Sequence, residues 1–187
     1  GSLSAIDILA ALYGRRLNVD PQNPDDPERD RFIMSKGHAS PGMYAILHES
    51  GFLSKEDLTS FRKLGGVCQG HVDMKWTPGV DFSAGSLGMG LSFGIGCALA
   101  ARLDGSDRTT FVMLGDGELQ EGQIWEAAIA ALRTRLLPAM SRRAETVAIV
   151  SNWLSVPGFP TSPARFISDV CFTLETIFTI TPIFNFI

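Results

Sequence analysis

The sequence holds only three cysteines, Cys68, Cys97 and Cys171, odd in number and far apart. Such a set does not build the paired framework of a small secreted domain, so a reducing cytoplasm is the expected setting. Positive charge is not in excess either: 16 Lys and Arg stand against 20 Asp and Glu, a formal net charge of −4. A nucleic-acid backbone would be repelled, and nucleic acid is set aside as a partner. No basic-then-apolar leader opens the chain, and the start at Gly1-Ser2-Leu3, without a Met and in mid-helix fashion, reads as a fragment at that end. The final uncharged run, 176–187, is too short to span a bilayer, contains Pro182 and favours β structure with an aggregation risk. What remains is 45% hydrophobic and 19% charged over 187 residues, a globular composition of one ordinary domain's length.

The chemistry begins where a β-branched and apolar run, Thr109 to Leu114, ends abruptly in Gly115-Asp116-Gly117. That pattern sets the Asp116 carboxylate at the carboxyl end of a buried strand, where an open α/β sheet keeps its ligand crevice. The flanking glycines let backbone N–H groups close on a phosphate, and a helix expected over 120–132 would point its positive end the same way. A carboxylate beside a phosphate repels it unless a cation lies between, and oxygen ligation suits Mg²⁺ or Ca²⁺. The pattern therefore suggests a metal-bridged diphosphate. The competing reading is a simple tight turn, which the same triplet also closes.

Upstream, a packing helix over 4–13 is expected to stop at a left-handed Gly14. Residues 18–30, with three prolines and five acidic residues, read as a solvated surface loop. The strand Phe32-Ile33-Met34 delivers Ser35-Lys36-Gly37-His38-Ala39-Ser40, so His38 lies at a strand end before a helix, 42–49, stopped by Gly51. A satisfied capping histidine is the alternative, and His48 on that helix reads as structural. Ser54 with Asp57 opens a helix whose apolar face is Leu58, Phe61 and Leu64, ending at Gly65-Gly66. The long loop 67–84 holds His71, and loops of this length are usually functional. Cys68 with His71 supplies too few ligands for a zinc site. Gly85-Ser86-Leu87-Gly88-Met89-Gly90 opens a helix to Leu103 in which Gly94 and Gly96 recur. Glycines that weaken a helix by about 1 kcal/mol each imply close approach by another backbone or by a ligand.

The run from Gly115 through Glu118, Glu121 and Glu126 to Ala127 resembles the thiamine-diphosphate signature of transketolases, most closely their separately encoded N-terminal subunits. Ser35-Lys36-Gly37-His38, Gly70-His71 and Gly85 to Gly90 match the family's other motifs in order and spacing. The resemblance implies an α/β fold, a parallel sheet with helices on both faces, here incomplete: residues 1–153 would be the diphosphate-binding domain and 154–187 a divergent tail. It implies thiamine diphosphate contacted by Gly85, Ser86, Leu87, Gly88, Gly115, Asp116, Gly117, Glu118 and Glu121. Asp116 would hold the metal, His38 and His71 would face the sugar, and Glu121 and Glu126 would join an acidic proton relay at a subunit contact. The implied activity is two-carbon ketol transfer from a ketose phosphate to an aldose phosphate, as in the pentose phosphate pathway. The partner would be a pyrimidine-binding C-terminal subunit or domain, in a homo-oligomer and in the cytoplasm. Nothing in the chain resembles that partner, so alone it is expected to be inactive.

Three positions depart from the family: Val72 for proline, which should leave the loop less stiff, Ala84 for threonine and Met89 for glutamine. Beyond Leu132 the resemblance fails. Val147 to Asn152 looks like the next strand, displaced by an arginine-rich insertion, with Asn152 as second metal ligand. A straight count puts Thr146 there, and another matching of the strand puts Trp153. A truncated or shifted reading frame would account for the end. The rivals are another thiamine enzyme, such as a deoxyxylulose-phosphate synthase or a 2-oxo acid dehydrogenase chain, and a non-catalytic truncated fragment.

Overall fold

The computed structural model describes residues 1–134 and 147–151. Their strands form a parallel sheet in the order β1 (Arg31–Met34), β2 (Thr110–Leu114), β3 (Val147–Ser151). The register pairs Met34 with Met113 and Leu114 with Ser151, so the strands end together at one edge.

Alternation along the strands builds two cores. Phe32, Met34, Phe111 and Met113 point to one face, where they pack with α1 (Leu3–Ala11), α2 (Ser40–Glu49) and the buried Cys68, Val72 and Val80 of the long loop. Between α2 and that loop lies the short α3 (Lys55–Thr59). Ile33, Val112 and Leu114 point to the other face, against α4 (Met89–Asp104) and α5 (Gly122–Arg133). Strands covered on both faces are the reason their sequences are continuously apolar. The fold is α/β, a parallel sheet with helices on both faces. Among the described residues no helix is long and apolar enough to cross a membrane.

The glycines of α4 approach protein. A Cβ at Gly94 would run into Val112 and one at Gly90 into Ser35, whereas nothing lies within 4 Å of the corresponding position at Gly96. Gly90 and Gly94 lie four apart on the face that meets the sheet, so the helix axis is drawn close to β1 and β2.

Four local expectations are corrected. Gly14 is no left-handed stop: α1 widens into a π turn over Leu12–Arg16, closed by the Leu17 amide donating to the Leu12 carbonyl at 2.8 Å. The helix α3 ends at Thr59 after a genuine capping box between Ser54 and Asp57. Past it the Arg62 amide donates to the Cys68 carbonyl, Phe61 packs edge-on to Tyr44, and Leu64 is fully exposed. The helix after the Gly-Asp-Gly turn begins only at Gly122, because one 3₁₀ turn, Gly117–Gln120, intervenes. Finally, the acidic loop is not all solvated, since Arg29 and Asp30 are buried.

A short ledge at the amino ends of the strands explains that burial. Asp81 accepts from Arg29 through both carboxylate oxygens, at 2.6 and 3.0 Å, from Arg31 at 3.3 Å and from the Phe32 amide at 2.9 Å. Asp30 joins the Asn18 and Thr109 amides at 2.9 and 2.7 Å. These bonds fasten the far end of the long loop to the start of β1.

Candidate active site

The carboxyl ends of β1 and β2 lie side by side, where the Ser35 amide donates to the Met113 carbonyl at 3.0 Å. From this edge Asp116 emerges exposed, and its carboxylate makes no hydrogen bond or ion pair with the described residues. Gly117 beside it has no atom within 4 Å of where a side chain would begin. An unengaged carboxylate next to open backbone suits a hard cation and an anionic oxygen ligand. Asp116 is thus not buried away from the surface.

The neighbouring motifs converge here. A Cβ at Gly37 would lie 3.2 Å from the His71 ring and would run into Ala84, so the residue next to His38 sits against both His71 and the loop ahead of Gly85. His38 and His71 are both exposed. The loop bearing His71 is held from α2: the Ser40 hydroxyl donates to the Gly70 carbonyl at 2.8 Å, and the Tyr44 hydroxyl to those of Gln69 and His71 at 2.9 and 3.1 Å. Val72 is buried and its carbonyl accepts from the Ala84 amide at 3.0 Å. Burial and this bond fasten the loop at Val72. His48 is structural, with Nδ1 on the Leu53 carbonyl at 2.8 Å.

Gly88, at φ +86°, turns the chain into α4, and there a Cβ would lie 3.2 Å from the Cβ of Glu121. Gln123 reaches the Ser92 hydroxyl at 2.6 Å, so the start of α5 and the Gly85–Gly88 loop form one wall. Gly85, Ser86 and Leu87 are exposed on it, as is Met89. Glu121 and Glu126 are exposed. Asn152, Thr146 and Trp153, the rival second-ligand positions, lie outside the described residues, as does the 154–187 tail.

The signal that sequence reading missed is the burial of Glu118. Its side chain is turned into the protein, 2% exposed, and accepts from the Gly88 amide at 2.7 Å, from the Gly115 amide at 2.9 Å and from the Ser35 hydroxyl. Lys36, 4% exposed, runs alongside Gly115. Burial holds its ammonium below the usual lysine value, and the charges of Asp116 and Glu118 oppose that shift. Three motifs distant in sequence thus meet around one buried carboxylate.

Comparison with known proteins identifies the family. The family described as transketolase, thiamine diphosphate binding domain, matches residues 1–138. The chain is 47% identical over 136 residues to a 6-deoxy-6-sulfo-D-fructose transketolase subunit of Clostridium sp. (strain MSTE9), covering 73% of this chain and 50% of that protein. It is 42% identical over 136 residues to an apulose-4-phosphate transketolase subunit of Phocaeicola vulgatus, covering 73% and 48%. It spans about half the length of these relatives. The transketolase of Leishmania mexicana superposes with a TM-score of 0.70 at 31% identity, over 88% of this chain and 26% of that one. A match running from the first residue to residue 138, well over half of the chain, leaves one assignment: the chain belongs to the transketolase family, in its thiamine diphosphate binding domain.

Proposed function

We propose that this chain is the diphosphate-binding part of a transketolase, holding thiamine diphosphate through Mg²⁺ or Ca²⁺ and transferring a two-carbon ketol unit from a ketose phosphate to an aldose phosphate. The observation that carries the reading is the exposed, unengaged Asp116 beside open Gly117, on the strand edge that also gathers His38, His71 and the Gly85–Gly88 wall. When bound, the cofactor supplies the electron sink for the two-carbon unit. Asp116 would hold the cation and the Gly115 to Glu118 backbone the diphosphate, with Gly85, Ser86, Leu87 and Gly88 lining the cofactor's other end. His38 and His71, both at the crevice, would orient the sugar phosphate and hold or move a proton at its oxygens.

Nothing in the described residues supplies a partner for the cofactor's pyrimidine ring, so a pyrimidine-binding chain is part of the proposal. The printed names of two relatives, both transketolase subunits, support such a division of labour. The exposed Glu121 and Glu126 would then be covered where the chains meet and act as a coupled carboxylate pair in an oligomer. A cytoplasmic setting within pentose phosphate metabolism fits the thiol content and the sugar chemistry.

Calorimetric titration of the chain, mixed with a pyrimidine-binding transketolase chain, with thiamine diphosphate plus Mg²⁺ tests this reading. Saturable binding is expected in the wild type and none in Asp116→Ala, while turnover is expected only with both chains and with xylulose 5-phosphate as donor. Absence of binding in the wild-type mixture overturns the proposal. Acceptance of pyruvate in place of the ketose phosphate would move the chain to another class of thiamine enzyme.

A further inference from the structure

We propose that Glu118 is the positioning residue that sets the cofactor cradle before anything binds, a role that rests on the site reading above. Its carboxylate is nine-tenths and more buried, and its three donors come from separate parts of the chain: Ser35 after β1, Gly88 before α4 and Gly115 after β2. Each of those loops carries part of the crevice. Ser35 leads to His38, Gly88 closes the Gly85–Gly88 wall, and Gly115 leads to Asp116.

The donor inventory explains why an acid stands there. Two backbone N–H groups and one hydroxyl all need acceptors in a buried place, and an ionised carboxylate offers two oxygens with about four lone-pair sites and no donor of its own. The oxygens divide the work: Oε1 takes Gly88 and Ser35, Oε2 takes Gly115. A glutamine has one oxygen, so its NH₂ must face either the Gly88 or the Gly115 amide, donor against donor. An aspartate is a methylene shorter and cannot span both sides. The requirement is geometric, and it falls on the side chain rather than on any ligand. Glu118 therefore acts through the loops it holds and leaves the cofactor to the backbone and to Asp116.

Hydrogen exchange on the 187-residue chain, without cofactor, tests the clasp, and thiamine diphosphate titration of the two-chain mixture tests its consequence. In Glu118→Gln, protection of the Gly88 and Gly115 amides should fall about ten-fold or more while α1 and α2 keep theirs, and cofactor affinity should fall by about the same factor. Unchanged protection at both amides, or wild-type affinity, overturns the proposal. Should Glu118→Gln fail to fold, Ser35→Ala removes one donor only. It should weaken cofactor binding by about three-fold or more with a native circular dichroism spectrum, and unchanged affinity would count against the clasp. A wild-type mixture that binds no cofactor refutes the functional reading instead, and the exchange measurement alone then decides the clasp.

Discussion

The two ends of the sheet solve one problem by different means. At the amino ends, Asp81 gathers chain segments around a buried carboxylate and meets Arg29 and Arg31. At the carboxyl ends, Glu118 gathers three loops and meets backbone amides and a hydroxyl. A carboxylate balanced by guanidinium groups has nothing left to offer a ligand and serves as a lock. One held by neutral hydrogen-bond donors, with the buried Lys36 ammonium near enough to feel its charge, fixes loop positions and leaves the neighbouring carboxylate, Asp116, exposed beside them. The difference separates the end that holds the fold from the end that holds the site.

The sharpest way to break that contrast is Asp81→Ala. Removing one member of a buried ion pair leaves the other charged, desolvated and unpaired, here Arg29, along with an orphaned Phe32 amide. The expected cost is about 3–5 kcal/mol in urea denaturation. Cofactor affinity per folded molecule should hardly change, because the pair lies at the opposite end from Asp116. A loss below about 1 kcal/mol would show that the arginines are solvated well enough to manage alone, and the lock would be the wrong description.

A smaller effect is expected along α4, which is drawn close to both strands. Gly94→Ala puts a methyl group into Val112 and should cost about 1–3 kcal/mol through overpacking. Gly96→Ala meets nothing within 4 Å and should stabilise by about 0.5–1 kcal/mol through helix propensity. Thermal melting of the pair reads the sign directly. Equal destabilisation of both would mean that the helix itself, and not its contact with β2, sets the cost.

What the sequence made legible follows from the range of the forces involved. The short apolar runs of β1 and β2, the glycine turn holding Asp116 and the Ser54 capping box are local patterns, and each is found where the residues place it. The sheet's two-faced burial also follows, since Phe32 and Ile33 are both apolar and so need cover on both sides. Arg29 with Asp81 and Glu118 with Ser35 were out of reach, because 52 and 83 residues separate the partners and each residue type alone suggests a solvated surface. The end of α3 and the delayed start of α5 were missed for a related reason. The carbonyl of Cys68 takes the Arg62 amide, and the Glu118 side chain is drawn inward through a 3₁₀ turn, so tertiary partners override helix propensity there.

The smallest expected effect belongs to Tyr44, which tests how the His71 side of the site is held without a charged clasp. Its hydroxyl donates to the Gln69 and His71 carbonyls, and burial, first among the causes, pushes the phenol up to about 12 from its ordinary 10. The negative charges of Cys68 and Asp73 push the same way, while hydrogen bonds with Thr77 and Gln69 pull against it. A folded pKa above the unfolded one means that the native state holds its proton longer. The stabilisation is therefore complete below about pH 10 and lost as pH climbs from there through about 12. Tyr44→Phe should cost about 1 kcal/mol at neutral pH from the lost hydroxyl bonds. The same variant should decline less steeply than the wild type above pH 10. Tyr13, whose phenol burial raises further, contributes its own alkaline loss equally to both proteins. Urea midpoints followed across that window should converge for the two proteins. Curves that stay parallel would mean that the Tyr44 phenol already titrates freely and that Ser40, through Gly70, holds the histidine loop without it.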